Sequence, residues 1–172
     1  MSSQEKFPYE EVFEALNKAE IDYVVCGGSA VVMFGFARLT IDLDLIVSLS
    51  KENLGKLYDV LLRLGYKARV PIKKAEFIQK EILARLGKEK NMKVISFYHP
   101  KDAFKTVDIG VNLSNISQIL ERKKFIKAAN LIIPIIFIDD LIKMKTALAR
   151  PKDIIDVENL KKIKQKQNEK KR

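Results

Sequence analysis

The feature that most constrains this chain is a pair of glycines set between two apolar runs, the second of which carries two aspartates. Tyr23-Val24-Val25-Cys26 reads as a buried strand and leads into Gly27-Gly28-Ser29. Glycines at such a place let the backbone turn tightly and approach a ligand where a side chain would block it. Ala30 to Phe36 is largely apolar and long enough for a short helix, which makes Ser29 the expected N-cap, with free N–H groups at the helix start. The chain then passes Arg38 and Thr40 into Ile41-Asp42-Leu43-Asp44-Leu45-Ile46-Val47, a second strand. Side chains alternate along a strand, so Asp42 and Asp44 share one face while Leu43 and Leu45 take the other. Two carboxylates beside a phosphate-sized glycine turn are the elements of a divalent-metal and triphosphate site.

A third acid strengthens that expectation. In Thr106-Val107-Asp108-Ile109-Gly110-Val111 the three apolar residues face one way and Asp108 faces the other. If this strand lies beside Leu43–Val47, three carboxylates converge on one sheet face. Like charges so close are costly unless a cation sits among them. Two Mg²⁺ ions roughly 4 Å apart would offset the repulsion and serve an in-line phosphoryl displacement, with Asp108 on the acceptor side.

The chain reads as one domain, or as one domain with a small appendage. Its 172 residues are 47% hydrophobic, enough for a core. Helical spacing is expected over Pro8–Glu20, over a segment capped by Ser50 and stopped by Gly65, over Ile116–Ala129, over Asp139–Ala149 and from Pro151 to about Lys166. Ala75–Leu86 suits a helix or an irregular connection. Further strands are expected at Tyr66–Val70, Val94–Tyr98, Thr106–Val111 and Ile133–Ile138, the middle two forming a hairpin across His99-Pro100-Lys101-Asp102. The expected fold class is α/β (α+β): a mixed sheet flanked by helices, with a small helical C-terminal part. Residues 1–138 form the expected catalytic core, and residues 139–172 a helical extension with a basic tail. Of the net charge of +10, the segment Lys161–Arg172 holds six lysines and one arginine against Glu169, so the body of the chain is only mildly basic. Lys166–Arg172 is expected to fray.

No apolar run approaches the ~20 residues that span a bilayer, so no membrane association is expected. The polar, acidic start of the chain is unlike a signal peptide, and the lone Cys26 excludes an intramolecular disulfide; both fit a cytoplasmic setting. Gly-x-Ser-x-Gly and Walker-type phosphate loops are missing, and the single histidine, His99, leaves no zinc cluster.

In combination, Gly28-Ser29, Asp42-Leu43-Asp44 and Asp108 resemble the pattern of the nucleotidyltransferase superfamily, the fold of DNA polymerase beta. Within it the chain is most similar to the AbiEii/AbiGii-type toxin nucleotidyltransferases, which also carry Arg-x-Thr before the acids, here Arg38-Leu39-Thr40. Asp140-Leu141-Ile142-Lys143-Met144-Lys145 and Arg150-Pro151-Lys152-Asp153-Ile154-Ile155-Asp156 look like two later motifs of that group. The resemblance implies Mg²⁺-dependent transfer of NMP from an NTP to an acceptor, an RNA (such as tRNA) or protein hydroxyl being favoured, with a cognate antitoxin as partner. It implies Asp42, Asp44 and Asp108 as catalytic and metal-holding residues. Gly27, Gly28, Ser29, Arg38, Thr40, Lys145 and Asp153 are the implied nucleotide contacts, Lys145 as a counter-charge on the triphosphate. The alternative is a nucleotide-binding regulatory module that keeps the pocket without turnover.

Overall fold

The computed structural model describes residues 8–89, 93–111 and 113–170. The first helix, α1 (Glu10–Lys18), buries Val12, Phe13 and Leu16, one stripe of a 3.6-residue period. It is followed by β1 (Tyr23–Val25), the short helix α2 (Gly27–Met33) and β2 (Leu43–Val47). The long helix α3 (Lys51–Arg63) starts at Ser50, whose hydroxyl accepts from the Asn53 N–H, so the expected cap is present. A two-residue strand β3 (Lys67–Ala68) and two helices, α4 (Lys74–Phe77) and α5 (Lys80–Glu89), lead to the hairpin β4 (Val94–His99) and β5 (Asp102–Gly110). The chain ends its described course with α6 (Ile116–Glu121), β6 (Lys124–Ala128), β7 (Leu131–Ile135), α7 (Ile138–Leu148) and α8 (Pro151–Glu169).

Among the described residues the strands form one seven-stranded mixed sheet in the order β3-β4-β5-β2-β1-β7-β6. Strand β2 pairs antiparallel with β1 and parallel with β5, so the strand that leads into the glycines and the two acid-bearing strands are neighbours at the sheet's centre. Leu43, Leu45, Val107 and Ile109 are fully or almost fully buried and give this region its core face. The mixed sheet with flanking helices is the expected fold class.

Two expectations change. Ile116–Ala129 is not one helix: α6 ends at Glu121, and Lys124–Ala128 becomes β6, an edge strand paired antiparallel with β7. The helical stripe Ile116, Ile119 and Leu120 is real but short, and Ala129 in the left-handed region (φ 51°) turns the chain back at Ala129-Asn130. The hairpin partner decides the conformation of a segment whose own periodicity is ambiguous. At the other end, α8 continues through Glu169, past the point where fraying was expected; Lys171 and Arg172 lie outside the described residues. Among the described residues no helix is long and apolar enough to cross a membrane.

Candidate active site

The glycine turn is packed directly on Asp44. Gly27 adopts φ +59°, where side chains are strained, and a Cβ there would lie 2.0 Å from Asp44 Oδ2. The next residue donates its backbone N–H to the same oxygen at 3.3 Å. A Cβ on Gly28 would meet Thr40 Oγ1 at 2.7 Å, with an Arg38 guanidinium nitrogen 3.4 Å away. The two glycines thus allow one backbone segment to approach Asp44 on one side and the Arg38–Thr40 segment on the other. Ser29 is not the N-cap expected of it: α2 begins at Gly27 with Cys26 in extended conformation before it. Its hydroxyl instead donates to the Asp42 carbonyl at 2.9 Å, tying the glycine helix to the acid strand.

Asp44 and Asp108 stand directly opposite each other across the β2–β5 ladder, and on the far side of β5 Ser96 stands opposite Asp108. Burial raises the Asp44 carboxyl to about 6 from an ordinary 3.8, with further upward pressure from Asp108 and Asp42; the Gly28 N–H and Lys145 pull the other way. Asp108 is raised as well, chiefly by burial, with Ser96 and Arg69 holding it partly down and Asp42 pushing it up. Among the described residues its buried Oδ1 has no hydrogen-bond partner. Asp42, just outside β2, is exposed, and among the described residues no group of three or more His, Cys, Asp or Glu side chains is gathered tightly enough to enclose a metal ion. The neighbouring Cys26 thiol is pushed well up by burial, then by Asp44.

The late motifs come together as a chain of ion pairs beside this corner. Lys145 is buried and its ammonium contacts Asp153 Oδ1 at 3.2 Å and Asp156 Oδ2 at 2.7 Å. Arg150 holds the other oxygen of Asp153 at 2.6 Å, and Arg38 reaches across from the loop before Asp42 to Asp156 at 2.5 Å. Lys145, expected to face a triphosphate, is therefore held by two aspartates of α8, although its charge still acts on Asp44. Asp153, expected near the nucleotide, is enclosed by Lys145 and Arg150. Sequence reasoning did not single out Ser96. A hairpin turning at Pro100-Lys101 would place Lys93 opposite Asp108; a register shift between Tyr98 and His99 brings Ser96 there instead.

No family model matches the chain, and a comparison with curated proteins returns no match. Solved structures do resemble it. The lincosamide antibiotic adenylyltransferase LnuA, in its lincomycin-bound form, is similar with a TM-score of 0.59 at 19% identity, covering 90% of this chain and 96% of that one. A protein from Thermotoga maritima described as a nucleotidyltransferase gives 0.55 at 13% identity over 94% of this chain and 91% of its own. The antibiotic-resistance factor ANT(2'')-Ia gives 0.55 at 11% identity over 87% and 78%. These likenesses show the fold: the chain has the mixed sheet and flanking helices of the nucleotidyltransferases.

Proposed function

We propose that this chain is a nucleotidyltransferase that moves NMP from an NTP to an acceptor hydroxyl. One observation carries the reading: two sheltered carboxylates, Asp44 and Asp108, face each other on adjacent strands directly beneath a glycine turn whose backbone N–H already points at one of them. An uncompensated pair of this kind is unfavourable by itself, as the raised Asp44 and the orphaned Asp108 Oδ1 show. Such a pair is suited to a hard divalent cation, and an all-oxygen donor set fits Mg²⁺. Asp44 and Asp108, already opposed, would hold it, with the exposed Asp42 completing the set only on binding; when bound it supplies charge neutralisation for the triphosphate and acidifies the acceptor hydroxyl.

The chain's own residues do the rest. The Gly27-Gly28 turn gives the triphosphate a close backbone approach, and Ser29, Arg38 and Thr40 line that approach. Arg38 offers the cationic contact at the turn, while Lys145 and Asp153 support it from behind through Asp156. Asp108, next to the half-buried Ser96 of β4, accepts the acceptor's proton. The acceptor class that the toxin-type motifs favour is an RNA or protein hydroxyl, and the chain would then be the toxin of a toxin–antitoxin pair. A small-molecule acceptor is the second reading; it is favoured by the near-complete coverage of LnuA, an antibiotic adenylyltransferase.

The test is incubation with each α-labelled NTP and Mg²⁺, with total tRNA, a protein extract or a small-molecule panel as acceptor. Label should move to one acceptor class and be lost in Asp44→Asn and Asp108→Asn variants of unchanged fold. Metal-dependent NTP binding without transfer to any acceptor would favour the regulatory-module alternative. Growth arrest on expression, abolished by the same substitutions, tests the toxin reading.

A further inference from the structure

Tyr9 precedes α1 in the left-handed region, at φ 61°, and sends its hydroxyl to the place where β2 and β5 part. The last ladder pair there is Leu43 with Val107. Beyond it the Tyr9 hydroxyl takes the place of the missing ladder bonds. It accepts from the Thr106 N–H at 3.0 Å and lies 2.6 Å from the Ile41 carbonyl, 3.0 Å from the Thr106 carbonyl and 3.2 Å from the Phe104 carbonyl. A phenol has one proton, and the short Ile41 contact is the best acceptor for it. The result is a relay, Thr106 N–H to Tyr9 O–H to Ile41 carbonyl, which extends the β2–β5 connection by the width of one hydroxyl.

The peptide on the other side of Asp42 is held too, because Ser29 donates to the Asp42 carbonyl. Both carbonyls that bracket Asp42 are therefore fixed by side-chain hydroxyls from separate parts of the chain, although the Asp42 side chain itself is exposed. Direct pairing in the same register would have drawn Asp42 to ladder distance from β5, opposite Thr106 and diagonal to Asp108; the inserted hydroxyl stands between the strands there. We propose that Tyr9 is a positioning residue, whose hydroxyl sets the place of Asp42 relative to Asp108 and so the spacing of the outer carboxylate in the acid cluster. The proposal rests on the reading of that cluster as a cation site.

The experiment measures Mn²⁺ binding in the presence of ATP by electron paramagnetic resonance for wild type, Tyr9→Phe, Asp42→Asn and the double variant. Tyr9→Phe keeps the ring and removes one relay, so Mn²⁺ affinity should fall by about two- to tenfold, the scale of one hydrogen bond. In the Asp42→Asn background the same change should have no further effect. Equal effects in both backgrounds, or a lower melting temperature with unchanged Mn²⁺ affinity, would reduce Tyr9 to a structural role and overturn the proposal. A second measurement needs no variant: the wild-type Tyr9 hydroxyl proton should exchange slowly and show NMR cross-peaks to Ile41 and Thr106, and exchange at the bulk rate would overturn the relay. Should wild type bind no Mn²⁺ with ATP, the cation reading fails separately. Positioning is then decided by amide exchange at Asp42 and Leu43, which Tyr9→Phe must accelerate if the hydroxyl fixes this segment and which, left unaltered, rejects it.

Discussion

Two clusters of aspartates lie side by side in this molecule, and their electrostatic states are opposite. In the C-terminal helices, burial alone would raise Asp153, but hydrogen bonds from Arg150 and Lys145 hold its carboxyl below the ordinary value. Asp156 takes Lys145 and Arg38. At the β2–β5 junction Asp44 and Asp108 are both raised; among the described residues their hydrogen bonds come from the Gly28 backbone and the Ser96 side chain, and Lys145 and Arg69 act on them by charge without reversing the rise. A buried carboxylate whose charge is met inside the fold is part of the structure. One left unmet is a demand for something from outside. On the proposed function, the satisfied acids hold the wall of the site and the unsatisfied ones face its ligand, a distinction that residue type alone does not make.

The largest expected effect breaks the satisfied cluster. Lys145→Ala leaves Asp153 and Asp156 short of a partner in a buried setting and should cost about 3–5 kcal/mol in urea denaturation. A loss below 1 kcal/mol would mean that Arg38 and Arg150 suffice and that Lys145 is free for a nucleotide after all.

Gly27→Ala attacks the seam between glycine turn and acid. Left-handed strain of about 1–2 kcal/mol adds to displacement of Asp44 from a contact of 2.0 Å, and overpacking of this kind costs about 1–3 kcal/mol. A measurable loss of stability together with lost NTP binding is expected; a neutral variant would show that the turn has room to relax.

The unmet pair should also appear in the pH dependence of stability. Asp44 titrates at about 6 in the fold against 3.8 ordinarily, so the folded chain binds this proton more tightly than the unfolded one. Stability is therefore greatest below about pH 4 with respect to this group and declines as pH rises toward 6, by about 1–3 kcal/mol. Melting temperatures from pH 4 to 7 should show that decline in wild type and lose it in Asp44→Asn. Saturating Mg²⁺ with ATP should flatten it too, whereas Asp153→Asn should leave it in place. A decline unaltered by Asp44→Asn would assign it to other groups.

The smallest effect concerns the basic end, which belongs to neither cluster. Deleting Gln165–Arg172 removes a net charge of +3 while keeping the Lys164–Asp139 ion pair. Stability should change by less than about 0.5 kcal/mol. If RNA is the acceptor, the slope of log affinity against log salt should become shallower by about 1–2 units. An unchanged slope would mark the tail as a solvated helix end.

The sequence by itself determined the local devices. Glycines after an apolar run, two aspartates at alternate positions and Ser50 before a helical stripe each act within a few residues, where backbone sterics and side-chain period leave few options. The mixed sheet followed from the order of these elements. Tertiary structure decided what depends on partners distant in the chain. Lys124–Ala128 became a strand because β7 offered a ladder, and Ser96 came opposite Asp108 through a register shift that no local pattern announces. Ser29 was drawn from a capping role to the Asp42 carbonyl, and Tyr9 entered a gap that exists only once β2 and β5 diverge. Lys145 and Asp153 were legible as special residues but not in their roles. Whether a buried charge faces a ligand or another side chain depends on which helix packs beside it, here α8 against α7, and hydrogen-bond geometry across that packing is fixed only when the chain has folded.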